Sequence, residues 1–144
     1  MILLIVDDEP IIRRSLVDIL PWKNLGFDRV LCAQDAWDAK RYFEREVPEI
    51  MICDIEMPGM DGLELSEWVH QNYTKTVILL LTCHASFSYA QIAIRYGVMD
   101  YLLKPVSPVA LENCIHKALG KIKEERLAEE NAQGAKVYPM SRTI

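Results

Sequence analysis

Five apolar runs recur along the chain: Ile2–Val6, Arg29–Ala33, Ile50–Cys53, Val77–Leu81 and Met99–Leu103. Within them the apolar residues are continuous rather than alternating, as in strands buried on both faces. Longer stretches with helical spacing lie between. Ile11, Ile12, Leu16, Ile19 and Leu20 form one stripe, and Ala36, Ala39, Tyr42 and Phe43 a second. Leu63, Leu65, Trp68 and Val69 form a third, and Leu111, Ile115, Ala118, Leu119 and Ile122 a last. Pro21, Gly26, Pro48, Pro58-Gly59, Gly62, Gly97, Pro105 and Pro108 fall at the joints. Strand followed by helix, repeated five times, predicts a parallel five-stranded sheet with helices on both faces. At this size that is a doubly wound α/β domain of strand order 2-1-3-4-5.

The stretch from Ser86 to Tyr96 is also helical in pattern, with an unusual distribution. At about 100° per residue, Phe87, Ala90 and Ile94 share one face, and Tyr89, Ile92, Ala93 and Tyr96 share the opposite one. A helix apolar on both sides cannot bury both against one sheet. Tyr89, Ile92 and Tyr96 are therefore expected to form a partner surface with the fifth strand and the last helix, a deeply embedded helix being the alternative. The last helix runs into the mixed-charge stretch Lys121–Leu127, and the pattern fades from about Gly134. This predicts a domain over residues 1–125, followed over 126–144 by a helical extension and a disordered linker or tail.

Composition narrows the function. The 144 residues suit one domain, and 51% hydrophobic with 26% charged residues is ordinary for a globular protein. The net charge of −5 makes the domain a poor non-specific partner for nucleic acid, whose affinity rests on cationic contacts to phosphate. The apolar Met1–Val6 is met at once by Asp7-Asp8-Glu9, with no basic segment before it and no cleavage pattern, so it does not read as a signal peptide. No apolar run approaches the ~20 residues that span a bilayer, and a cytoplasmic location is expected. Cys32, Cys53, Cys83 and Cys114 are widely spaced, with no C-x-x-C pair, which predicts free thiols rather than a disulfide framework. A zinc or redox site from Cys53, Cys83 and His84 is the competing reading of these cysteines.

The polar residues that end the predicted strands carry the chemistry. Asp7 and Asp8 follow the first strand, Asp54 the third, Thr82 the fourth and Lys104 the fifth. All fall at carboxyl ends of strands, the edge at which sites form in open α/β sheets. Three crowded carboxylates repel and raise one another's pKa values. A hard divalent cation relieves that repulsion, and oxygen ligands with few carboxylates suit Mg²⁺. A carboxylate nucleophile beside Mg²⁺, a lysine and a hydroxyl has the makings of a phosphoryl-transfer site. Each residue also has a plain structural reading: Asp7 or Asp8 as a helix cap, Asp54 as a turn aspartate, Thr82 as a strand end, Lys104 as a solvated lysine. Asp61, in Met60-Asp61-Gly62, reads as a turn residue and N-cap.

Taken in order, Ile5-Val6-Asp7-Asp8-Glu9-Pro10, Asp54-Ile55-Glu56-Met57-Pro58-Gly59-Met60-Asp61-Gly62, Leu81-Thr82 and Asp100-Tyr101-Leu102-Leu103-Lys104-Pro105 resemble the receiver domain of two-component response regulators. The match spans about residues 1–125. Pro21–Phe27 and Ser86–Ala90 make it similar to the YesN-like subgroup, in which an AraC-type DNA-binding domain follows the receiver; the chain is expected to be a receiver truncated before that domain, a stand-alone receiver being the alternative. The resemblance implies a flavodoxin-like (βα)5 fold and a signalling switch rather than an enzyme. It implies that Asp54 accepts a phosphoryl group from a sensor histidine kinase. It implies that Asp8, Asp54 and the backbone carbonyl of Glu56 ligate Mg²⁺, with Asp7 acting through water. Lys104, joined to Pro105 by a cis peptide, would pair with the phosphoryl group, Thr82 would turn toward it, and Tyr101 would swing inward. The 86–96 face would serve a phosphorylation-dependent homodimer, DNA would be reached only through the output domain, and no membrane is involved. Two departures stand out: Cys83 after Thr82, where a smaller residue is usual, and the carboxylate of Glu56 at the mouth of the site.

Other classes fit less well. A phosphatase or phosphotransferase of haloacid-dehalogenase type also combines Asp, Thr, Lys and Mg²⁺. It needs its nucleophile on the first strand, a second aspartate where Glu56 stands, and a cap. A flavin-mononucleotide binder would not place Asp7-Asp8-Glu9 against a phosphate. A scaffold that has lost its chemistry would lack part of the set, and none is lacking.

Overall fold

The computed structural model describes residues 1–84 and 95–142, with side chains to residue 132. Strands β1 (Ile2–Val6), β2 (Arg29–Ala33), β3 (Ile50–Asp54), β4 (Val77–Thr82) and β5 (Asp100–Leu103) form one parallel sheet. Their order is β2-β1-β3-β4-β5, as the repeated strand-helix pattern predicts. Helices α1 (Pro10–Ile19), α2 (Ala36–Arg45), α3 (Gly62–Asn72) and α4 (Pro108–Arg142) are the described helices that accompany it.

The continuous apolar runs have a direct explanation in side-chain parity. Successive residues of a strand point to opposite faces. Leu3, Ile5, Ile50, Ile52, Leu79 and Leu81 meet Leu16 of α1 and Leu111, Ile115 and Ala118 of α4. Leu4, Val6, Met51, Cys53, Ile78 and Leu80 meet Ala36, Ala39 and Phe43 of α2 and Leu65 and Val69 of α3. Strands β1, β3 and β4 are buried along their whole length, whereas the edge strand β2 is buried only at Ala33. Both faces of the sheet are thus covered, and its carboxyl edge is left to carry polar groups.

Side-chain caps start two of the helices. Asp35 accepts from the Asp38 amide at 2.8 Å, and Asp61 accepts from the Glu64 amide at 2.9 Å, the N-cap role its sequence context predicts. Ile11 departs from the expected stripe and is 79% exposed, while Ile12 beside it packs against the core. The last helix also differs. It runs to Arg142, past Gly134 and through Pro139; the Ala, Glu and Lys residues that favour a helix lie earlier, over 123–136. Arg126 pairs with Glu49 at 3.2 Å, and Lys75 pairs with Glu129, so the extension lies against the amino-edge side of the sheet. Among the described residues, no helix is long and apolar enough to cross a membrane.

The turn after α1 closes one end of the core. Trp22 is buried, donates its indole N–H to the Leu16 carbonyl at 2.9 Å, and meets Phe27 edge-on with ring centroids 5.7 Å apart. Trp22→Ala is expected to lower stability by about 3–5 kcal/mol in urea unfolding. Trp22→Phe should cost less, keeping a ring but losing a hydrogen bond worth about 1 kcal/mol.

Candidate functional site

Register brings the polar strand ends together. Val6 pairs with Cys53, Asp54 with Leu81, and Thr82 with Leu103, so the residues that follow these strands emerge along one edge. Backbone bonds extend the ladder by one step: Asp7 donates to the Ala33 carbonyl at 3.1 Å, Ile55 to Leu81 at 2.9 Å, and Lys104 to Thr82 at 2.8 Å. The peptide between Lys104 and Pro105 is cis.

At that edge the Lys104 ammonium lies between two carboxylates, 3.0 Å from Asp7 Oδ2 and 3.2 Å from Asp54 Oδ1. Asp7 and Asp54 are buried, 0% and 1% exposed, and Lys104 is nearly so. Asp8 is the member of the acidic set that is not buried, yet one oxygen from each of Asp7, Asp8 and Asp54 falls within 4.8 Å of the others. Asp7 Oδ1 accepts from the Glu9 amide at 2.9 Å, and the guanidinium of Arg13 donates to the Asp7 carbonyl at 2.7 Å. Asp7 Oδ2 is a buried oxygen whose one described partner is the Lys104 ammonium, 3.0 Å away. Three convergent carboxylates, two of them buried and sharing one ammonium, fit a hard cation held through oxygen.

The charges follow from this crowding. Burial, and next the Asp7 carboxylate, push the Asp54 carboxyl up from its ordinary 3.8 to about 7, against the pull of Lys104. Burial works to lower Lys104, but Asp7 and Asp54 outweigh it and hold the ammonium well above its ordinary value. One cation thus serves two carboxylates, and the site is left short of positive charge.

Thr82 is fully buried, and its hydroxyl donates to Glu56 Oε1 at 2.7 Å while accepting from the His84 amide at 3.0 Å. The Glu56 amide reaches Asp54 Oδ1 at 3.4 Å. Partial burial pushes the Glu56 carboxyl up, but the Thr82 hydroxyl and the contact with Asp54 outweigh it and leave it below its ordinary value. Tyr101 is half-buried against the core on the α2–α3 side of the sheet.

Gly62 is a functional position whose purpose the sequence hid behind a turn motif. A Cβ there would stand 2.1 Å from the Asp54 carbonyl oxygen, so the start of α3 is packed directly on the backbone of Asp54. Gly59 is needed for a different reason, its φ of +78° in the turn before α3.

The structure therefore joins Asp7, Asp8, Asp54, Thr82, Lys104 and the Glu56 side chain in one site. It does not gather Cys53, Cys83 and His84 into a metal site: Cys53 is buried, while Cys83 and His84 face solvent. Of the expected partner surface, Tyr89 and Ile92 lie outside the described residues, and Tyr96 is half-buried against the core beside α3.

A family model described as the response regulator receiver domain matches residues 3–116. The transcriptional regulatory protein YesN of Bacillus subtilis is 33% identical over 123 residues, which are 85% of this chain and 33% of that protein. The transcriptional regulatory protein HptR of Staphylococcus aureus is 33% identical over 131 residues, 90% of this chain and 49% of HptR. The solved REC domain of AraT, a response regulator from Geobacillus stearothermophilus, matches with a TM-score of 0.79 at 34% identity, over 87% of this chain and 97% of that one. The chain spans about half or less of the length of these curated relatives.

Two outcomes test the geometry. Gly62→Ala is expected to cost about 3 kcal/mol, the upper end of overpacking, as read by chemical denaturation. The second concerns pH. A folded-state pKa raised to about 7 keeps a proton on Asp54 that the unfolded chain has already lost, so stability of the metal-free protein falls as pH rises from about 4 through about 7 and levels beyond. Asp54→Asn should flatten that slope in melting experiments and raise stability at pH 8 by about 1–3 kcal/mol.

Proposed function

The chain belongs to the response-regulator receiver family, and on that premise we propose that it is a phosphorylation-activated signalling switch whose phosphoacceptor is Asp54. The observation that carries this reading is the Lys104 ammonium set between the buried carboxylates of Asp7 and Asp54. A buried carboxylate with an adjacent fixed cation is an oxygen nucleophile with a partner for the charge it will acquire.

The donor in this reading is a phosphohistidine on a sensor histidine kinase. An Asp54 carboxylate oxygen attacks phosphorus, an O–P bond forms, and the P–N bond breaks. The imidazole nitrogen leaves with the electron pair. Asp7, Asp8, Asp54 and the Glu56 carbonyl are the groups that would hold Mg²⁺, which when bound offsets negative charge on the transferring group. Lys104 holds a phosphoryl oxygen from its place beside Asp54. The Thr82 hydroxyl turns to the phosphoryl group, and Tyr101 follows from its half-buried position on β5. The domain transmits a state rather than turning over a small molecule. Residues 1–125 form the receiver unit, and the part of α4 beyond them leads toward a DNA-binding output domain, since YesN and HptR are transcriptional regulatory proteins.

The test is direct. Incubated with Mg²⁺ and acetyl phosphate, the protein should gain the mass of one phosphoryl group, and Asp54→Asn should gain none. Lys104→Ala should lose phosphorylation-dependent changes in fluorescence or NMR spectra, even where some phosphoryl group is taken up. No mass gain by the unaltered chain from any acyl or histidine phosphate donor would contradict the reading.

A further inference from the structure

The hydrogen bond between Thr82 and Glu56 has a consequence for switching. A threonine hydroxyl has a single proton to donate. Its direction here is set by two neighbours: the His84 amide points at Thr82 Oγ1, which must accept from it, and Glu56 Oε1 lies 2.7 Å away with nothing but acceptor capacity when ionised. The proton is therefore committed to Glu56. Glu56 is itself placed by its own backbone, whose amide reaches Asp54 Oδ1, and its side chain is 35% exposed, so it has room to leave.

We infer that Glu56 is a latch: its carboxylate holds the Thr82 hydroxyl in the unphosphorylated state and must release it before Thr82 can bind a phosphoryl oxygen. This rests on Asp54 as phosphoacceptor and assigns to the Glu56 side chain a positioning role toward Thr82. Two forces open the latch. A phosphoryl group on Asp54 competes for the same proton as a stronger, more highly charged acceptor. It also repels the Glu56 carboxylate, which can swing to water at low cost because it lies at the rim. The latch raises the threshold for the active state and should make the off-state cleaner than threonine alone would.

Two readouts test it. In the metal-free protein, the backbone amide resonance of His84 and the methyl resonance of Thr82 should both shift in Glu56→Ala, and less in Glu56→Gln, which keeps an acceptor oxygen. Fluoroberyllate, formed from beryllium chloride and fluoride with Mg²⁺, is the phosphoryl probe. Glu56→Ala should bind it about tenfold more tightly than the unaltered chain, equivalent to about 1.4 kcal/mol. Loss of a negative charge alone would also favour an anion, so the comparison is repeated on Thr82→Val. There the gain from Glu56→Ala should shrink by at least half. A gain undiminished on Thr82→Val, or unmoved His84 and Thr82 resonances in metal-free Glu56→Ala, overturns the latch while leaving Asp54 as acceptor. Absence of fluoroberyllate binding to the unaltered chain in Mg²⁺ would strike the phosphoacceptor reading, and the latch with it.

Discussion

The contact on which the site depends is the lysine shared by two buried carboxylates. Lys104 Nζ lies 3.0 Å from Asp7 and 3.2 Å from Asp54, and all three are withdrawn from water. Removing charges from water is costly, and one cation cannot balance two anions. The site is therefore built to need further positive charge, from a proton on Asp54 or from a divalent cation bound by Asp7, Asp8 and Asp54. The same shortage would make the site responsive to the proposed phosphorylation, because a phosphoryl group would change its charge at a point where Lys104 is the one described cation beside the two buried carboxylates. A solvated aspartate undergoing the same chemistry would be screened by water and would move its surroundings little.

The rest of the fold serves to hold that contact. Asp7, Asp54 and Lys104 come from three different strands, and only a parallel sheet in register delivers them to one edge. The sheet can do so because its central strands are buried on both faces, each parity of side chain matched to its own set of the described helices. Gly62 closes the arrangement from α3, whose first turn lies against the Asp54 carbonyl. Thr82 and Glu56 then connect the charge at Asp54 to the loop after β4, through a hydroxyl whose one proton can have one destination at a time.

Much of this was legible in the sequence. Five unbroken apolar runs separated by helical stripes determine a doubly covered parallel sheet, and polar residues placed at the ends of those runs must then share an edge. The strand limits follow to within a residue, although burial runs on past the apolar residues to Asp7, Asp54 and Thr82. Less legible were effects that depend on side-chain direction. Ile11 belongs to an apolar stripe by spacing but turns to solvent, while its neighbour Ile12 packs on the core. Gly62 reads as turn punctuation, and only the distance to the Asp54 carbonyl gives its reason. Glu56 was recognisable as an unusual charge at the mouth, but its hydrogen bond to Thr82 crosses 26 residues of sequence and depends on a rotamer.

The central claim is that the buried Asp54 carboxylate becomes an acyl phosphate. Borohydride reduces an acyl phosphate of aspartate to homoserine and leaves ordinary carboxylates unreacted, so trapping after acetyl phosphate treatment in Mg²⁺, followed by peptide mass mapping, locates the phosphoryl group. The expected result is homoserine at position 54 alone. Phosphorylation retained on a serine, threonine or histidine after trapping, with position 54 still aspartate, would contradict the account.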